Sequence, residues 1–138
     1  MRTSYKIWFA GLGLAALVAP LGAHHGFDTE YDAKKKVKLT GVVKEVAWTN
    51  PHMRVYIDVT DANGKVTTWN MELTSPNSVR RQGWGKNSLV PGEKVIFEGF
   101  GGKVEESRGS LLSIAKASDG KPLFVQGGPD GELPGAPK

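Results

Sequence analysis

The sequence predicts a mainly β domain of five short strands with one short helix between the third and fourth. Three observations carry that reading. Apolar residues alternate with polar ones from Met53 to Thr60, the period of two that a half-buried strand requires. Asp61-Ala62-Asn63-Gly64 follows, and a second alternating stretch returns from Val66 to Leu73; Asn-Gly tolerates the positive φ of a tight hairpin turn. Ser75-Pro76 then opens a segment that stops at Gly83, with serine suited to cap exposed amides and proline to the first helical position.

Each element follows in order. The first strand starts at Val37, where Val37 and Leu39 alternate with Lys38 and Thr40. Gly41-Val42-Val43 breaks that alternation, which predicts a bulge at the glycine and a bend in the strand. The second strand turns Met53, Val55, Ile57 and Val59 inward, and the third turns Trp69, Met71 and Leu73 inward. In the helix, Val79 faces the core, Gly83 ends the element, and Trp84 covers the end of the core. After Pro91-Gly92 come a fourth strand, Lys94 to Phe100, and a fifth around Leu111 to Ala115. Asp119-Gly120 turns the chain into a last extended piece through Leu123, Phe124 and Val125. Three strands, a helix and two strands is the element order of the OB-fold, a five-stranded Greek-key barrel. An open β-sandwich uses the same strands; the bulged first strand and the single central helix favour the barrel.

The ends of the chain read differently. Arg2 and Lys6 precede an apolar run from Ile7 to Val18, which Pro20 breaks before Leu21-Gly22-Ala23. Charged, apolar, then small is the order of a secretory signal peptide, and the run is shorter than the ~20 residues of a spanning helix. The expected division is a signal peptide over 1–23, an N-terminal segment over 24–36, the β domain over 37–126 and a disordered Gly/Pro-rich tail over 127–138. The expected location is the periplasm, with no transmembrane anchor after cleavage.

Composition narrows the function. The 138 residues carry a net charge of +4, with 39% hydrophobic and 23% charged residues, ordinary values for a globular chain. Loss of Arg2 and Lys6 leaves 16 basic against 14 acidic residues, too balanced for a nucleic-acid binder that needs a concentrated basic face. The absence of cysteine excludes disulfides, thiolate nucleophiles and Cys-based zinc sites.

The three histidines fall in two clusters, His24-His25 at the expected mature start and His52 in Trp48-Thr49-Asn50-Pro51-His52. Cleavage after Ala23 makes His24 the amino terminus, so one amine and one imidazole are poised to chelate the same ion. The amine has an ordinary pKa of ~7.7–8.0, and metal displaces its proton near neutral pH. A third nitrogen from His52 or His25 completes a tetragonal, nitrogen-rich site, which favours Cu(II) among first-row ions. This is the logic of a histidine brace holding copper through His24, His25 and His52. The competing reading makes His24-His25 a solvated end that aids processing, and His52 a residue that bonds a neighbouring loop beside the turn residues Asn50-Pro51.

Trp48, Asn50 and Tyr56 form the alternative site, a surface on which an OB-like domain binds an envelope protein or small ligand; covering a barrel end is the plainer role for these aromatics. Lys34-Lys35-Lys36 reads as a solvated basic run that is also suited to anionic headgroups. No Gly-x-Ser-x-Gly elbow is present, and Gly99 to Gly102 lacks the lysine and following helix of a phosphate loop. No acid–base pair or nucleophile stands out near the histidines, so a binding protein is expected rather than an enzyme, with a copper oxidase the enzymatic alternative.

Ala23-His24-His25-Gly26-Phe27, Trp48-Thr49-Asn50-Pro51-His52, Ser75-Pro76-Asn77, Gly83-Trp84 and Leu89-Val90-Pro91-Gly92 together resemble one family of small secreted bacterial proteins, the domain of unknown function 6152. The likeness runs from His24 through Phe124. It implies periplasmic residence and a small β domain, and brings no activity, cofactor or partner with it.

Overall fold

The computed structural model describes residues 21–126, with side chains described from Gly26. Most of the expected signal peptide, and all of the expected tail over 127–138, therefore lie outside the described residues. The elements are α1 (Leu21–Glu30), β1 (Tyr31–Ala47), β2 (Arg54–Thr60), β3 (Val66–Glu72), α2 (Pro76–Arg81), β4 (Lys94–Gly102), β5 (Arg108–Lys116) and β6 (Pro122–Val125). The fold is mainly β. The strand order is β3-β2-β1-β4-β5-β6, every neighbouring pair is antiparallel, and a short parallel pairing of β3 with β5 closes five of the strands into a ring.

The hairpin and the central helix form for the local reasons read from the sequence. Asp61 anchors the β2–β3 turn: its side chain accepts from the amides of Asn63 and Lys65, and Gly64 takes φ +81°. The Ser75 hydroxyl caps α2 by accepting from the Ser78 amide, Pro76 occupies its first turn, and Gly83 follows at φ +93°. Trp84 then lies edge-on to Phe124, 6.3 Å between ring centroids, and its indole N–H donates to the Leu123 carbonyl. Antiparallel pairing with β5 makes the last extended piece a sixth strand, where the sequence predicts five.

Two further features differ from the sequence reading. The chain is already a strand at Tyr31, not Val37, because Lys36 to Val42 pair with β4 and Tyr31 pairs with Gly102. Before β1, residues 21–30 form one helix. The bulge in β1 falls at Lys44, between Val43 and Glu45, not at Gly41. Gly41 answers a different need: a Cβ there would lie 2.6 Å from both the Asp58 carbonyl oxygen and Ile57 Cγ2. The glycine lets two backbones approach, and the bend follows three residues later.

Inside the ring, Val55, Ile57, Met71, Val95, Phe97, Leu111 and Ile114 are fully buried. On the opposite side of the strands a second, smaller apolar cluster forms under α1. Phe27 packs against Tyr31 and Phe100, each at 5.4 Å between ring centroids. The end of α1 is tied down by the Lys103 amide, which donates to the Glu30 carbonyl at 3.0 Å, and by Lys103 Nζ on the Asp28 carbonyl. A ten-residue helix is marginal alone; these contacts hold it over the outer face. Among the described residues, no helix is long and apolar enough to cross a membrane.

Candidate functional site

Where α1 lies over the outer face it leaves a cleft of about 350 Å³, lined by Gly26, Phe27, Glu30, Tyr31, His52, Glu72 and Ser110. The size is within the range of small-ligand sites. Its polar wall is built by the register of β2 and β3. Met53, Val55 and Ile57 turn inward, so His52, Arg54 and Tyr56 turn outward, and Arg54 pairs directly with Glu72 and Tyr56 with Asn70. The β3–β5 pairing sets Ser110 beside Glu72.

A chain of polar contacts crosses this wall. His52 Nδ1 lies 2.9 Å from Oε1 of Glu72, and the other carboxylate oxygen accepts from Arg54 Nη2. Arg54 Nη1 donates in turn to Asn70 Oδ1 at 3.0 Å. Glu72 and Arg54 are mostly covered, with side chains 17% and 20% exposed, whereas His52 is 51% exposed. The loop before His52 is braced by the Thr49 hydroxyl, which donates to the His52 carbonyl at 2.8 Å, and the Asn50–Pro51 peptide is cis.

Tyr31 forms the floor. The residue is buried, and its hydroxyl has no hydrogen-bond partner among the described residues. Burial first, and the neighbouring Glu72 carboxylate second, push the phenol well above its ordinary range. The cleft thus holds a phenol that keeps its proton and faces a negative field. Glu30, at the rim, pairs loosely with Arg108 at 3.7 Å.

Of the histidines expected to bind metal, His52 lines this cleft. His24 and His25 lie in the backbone of α1, immediately before the lining residues Gly26 and Phe27, and their side chains are outside the described residues. Among the described residues no group of three or more His, Asp or Glu side chains is arranged to hold a metal ion. Trp48, Asn50 and Tyr56 lie apart from this cleft's lining. Trp48 packs against the core with the Arg80 guanidinium 5.4 Å above its ring, Asn50 is exposed in the loop, and Tyr56 is half-buried on the outer face of β2.

The sequence reading missed Glu72, Arg54 and Tyr31. A signal for the first two was present: counting outward from the Asn63-Gly64 turn pairs Arg54 with Glu72 and leaves His52 one diagonal step away. Tyr31 carried no such signal, because its place depends on distant partners, Gly102 across the ladder and Phe27 of α1.

These features define a small mainly β protein whose helix roofs a polar cleft at one end of a hairpin. The chain belongs to a family of unknown function, DUF6152, whose model matches residues 12–111 and so spans His24, His25, His52 and Glu72. No curated protein and no solved structure matches it.

Proposed function

We propose that this is an exported periplasmic protein that holds copper at the mouth of the α1 cleft, through His24 and His52 with His25 assisting. We read its ring of strands and central helix as an OB-type barrel, and its role as binding rather than catalysis. The observation that carries the copper reading is the seating of α1. The helix that bears His24 and His25 leads directly into Gly26 and Phe27, which share a cleft with His52. Position 24 precedes Phe27 by three residues, one helical turn. Export supports the same reading, since cleavage after Ala23 turns His24 into an amine–imidazole chelate. Three nitrogen donors without a thiolate suit Cu(II).

The test is a Cu(II) titration of protein purified from the periplasm, after mass spectrometry has shown that it begins at His24. One equivalent binds tightly to the natural form. Adding one residue before His24, or replacing His52 by alanine, lowers affinity by at least tenfold. Unchanged affinity in either variant overturns the brace.

A further inference from the structure

We infer that Glu72 is a positioning residue for the proposed metal site: it fixes the tautomer of His52, so that Nε2 is the nitrogen offered to the ion. The inference deepens the copper reading and rests on it for the identity of the ligand. Its structural part stands alone.

An ionised carboxylate only accepts hydrogen bonds, and a neutral imidazole has one donor nitrogen and one acceptor nitrogen. His52 meets Glu72 through Nδ1, at 2.9 Å. Arg54 holds the other oxygen of the same carboxylate and is always cationic. Glu72 therefore serves as an acceptor on both sides, and in the neutral His52 ring the proton must sit on Nδ1. The lone pair is left on Nε2, directed away from Glu72, on a side chain that is half-exposed at the cleft. A free imidazole side chain favours the opposite tautomer, with the proton on Nε2, so the pairing reverses the ring's own preference.

The carboxylate is itself restrained. Arg54 spans Glu72 and Asn70 with its two terminal nitrogens, both partners lying on β3, and the antiparallel register sets Arg54 directly opposite Glu72. Strand pairing thus fixes Glu72, Arg54 and Asn70, and His52 joins them from the loop that leads into β2, where the Thr49 hydroxyl holds its carbonyl. A simple rim ion pair needs only the first contact. A histidine backed by a carboxylate that is itself held is the arrangement that aligns a metal ligand and raises its basicity.

Two measurements on the mature protein test this. The first is 15N NMR of the neutral His52 ring without metal. The expected signature is a proton on Nδ1 in the natural protein, retained in Glu72→Gln, whose amide oxygen still accepts, and shifted toward Nε2 in Glu72→Ala. The second is Cu(II) affinity, expected to fall about 10- to 100-fold in Glu72→Ala and markedly less in Glu72→Gln. A natural protein with its proton on Nε2 overturns the inference whatever copper does. A shifted tautomer with undiminished affinity in Glu72→Ala also overturns it, since the carboxylate then positions nothing the ion uses. If the natural protein has the expected tautomer but binds no copper, the copper reading fails and takes the metal-directed role with it, while the ring-fixing pair stands as measured.

Discussion

His52 reaches Glu72 on a diagonal, because the residue directly across the ladder from Glu72 is Arg54. One carboxylate therefore serves two basic side chains two positions apart, Arg54 at the start of β2 and His52 in the loop just before it. Their contributions are not independent: each holds the carboxylate in the rotamer the other requires.

The Arg54–Glu72 pair is mostly screened from water, so its halves are worth more together than apart. Arg54→Ala leaves a covered carboxylate with one partner fewer and is expected to cost about 1–3 kcal/mol. Glu72→Ala leaves the guanidinium with Asn70 alone and costs a similar amount. The double variant is expected to cost clearly less than the two added, a coupling of at least ~0.5 kcal/mol in denaturant unfolding. Strict additivity would mean that the pair is as weak as an ordinary surface ion pair.

Phe27 fastens the roof of the cleft. It is the α1 side chain that packs on both Tyr31 and Phe100. Phe27→Ala is expected to release α1 while leaving the ring of strands intact, since the main core lies on the other side of the sheet. Native-state hydrogen exchange reads this directly. The Lys103 amide, bonded to the Glu30 carbonyl, loses protection at least tenfold, whereas the Met71 and Phe97 amides stay as in the natural protein. Equal loss at all three positions would mean that α1 and the strands unfold as one unit.

The sequence made the β2–β3 hairpin and α2 legible because each is decided within a few residues, by alternation, an Asn-Gly turn or a Ser-Pro cap. The features missed depend on distant partners. Tyr31 to Lys36 look like a charged linker, and become strand only because β4 supplies the ladder. The sequence points to Gly41, the residue with unusual freedom, as the bulge in β1, yet the extra residue is Lys44. The cleft was hidden for the same reason: His52 was visible as chemistry, but its roof comes from a helix that begins within the expected leader.

Gly99 offers a sharp test of that long-range packing. A Cβ there would overlap the Ser110 backbone carbonyl and lie 2.7 Å from Met71 Cε. The carbonyl belongs to the paired strand and has little room to yield. Gly99→Ala is expected to destabilise by more than ~2 kcal/mol, as overpacking in a core does. Gly85→Ala is the control, because a Cβ there meets nothing within 4 Å, and it is expected to stay within ~0.5 kcal/mol. Similar midpoints for the two variants in guanidinium unfolding would show that β4 and β5 are less closely apposed.

Tyr31 gives the protein an alkaline limb. Its phenol is held above the ordinary value by burial and by Glu72, whereas in the unfolded chain it ionises near pH ~10. Below that value both states keep the proton, and the contribution to stability is fully present. As the pH rises past ~10 the unfolded state releases its proton while the folded state does not, so stability falls. The slope attributable to this one group approaches ~1.4 kcal/mol per pH unit. Lysines titrate in the same window, so the informative quantity is the difference between the natural protein and Tyr31→Phe. At neutral pH the variant is expected to be as stable or about 1 kcal/mol more stable, because a buried hydroxyl without a partner is removed. Above pH ~10 the gap in favour of Tyr31→Phe widens. Parallel curves from pH ~8 to ~11.5 would mean that the Tyr31 hydroxyl ionises as easily folded as unfolded, and that the floor of the cleft is open to water.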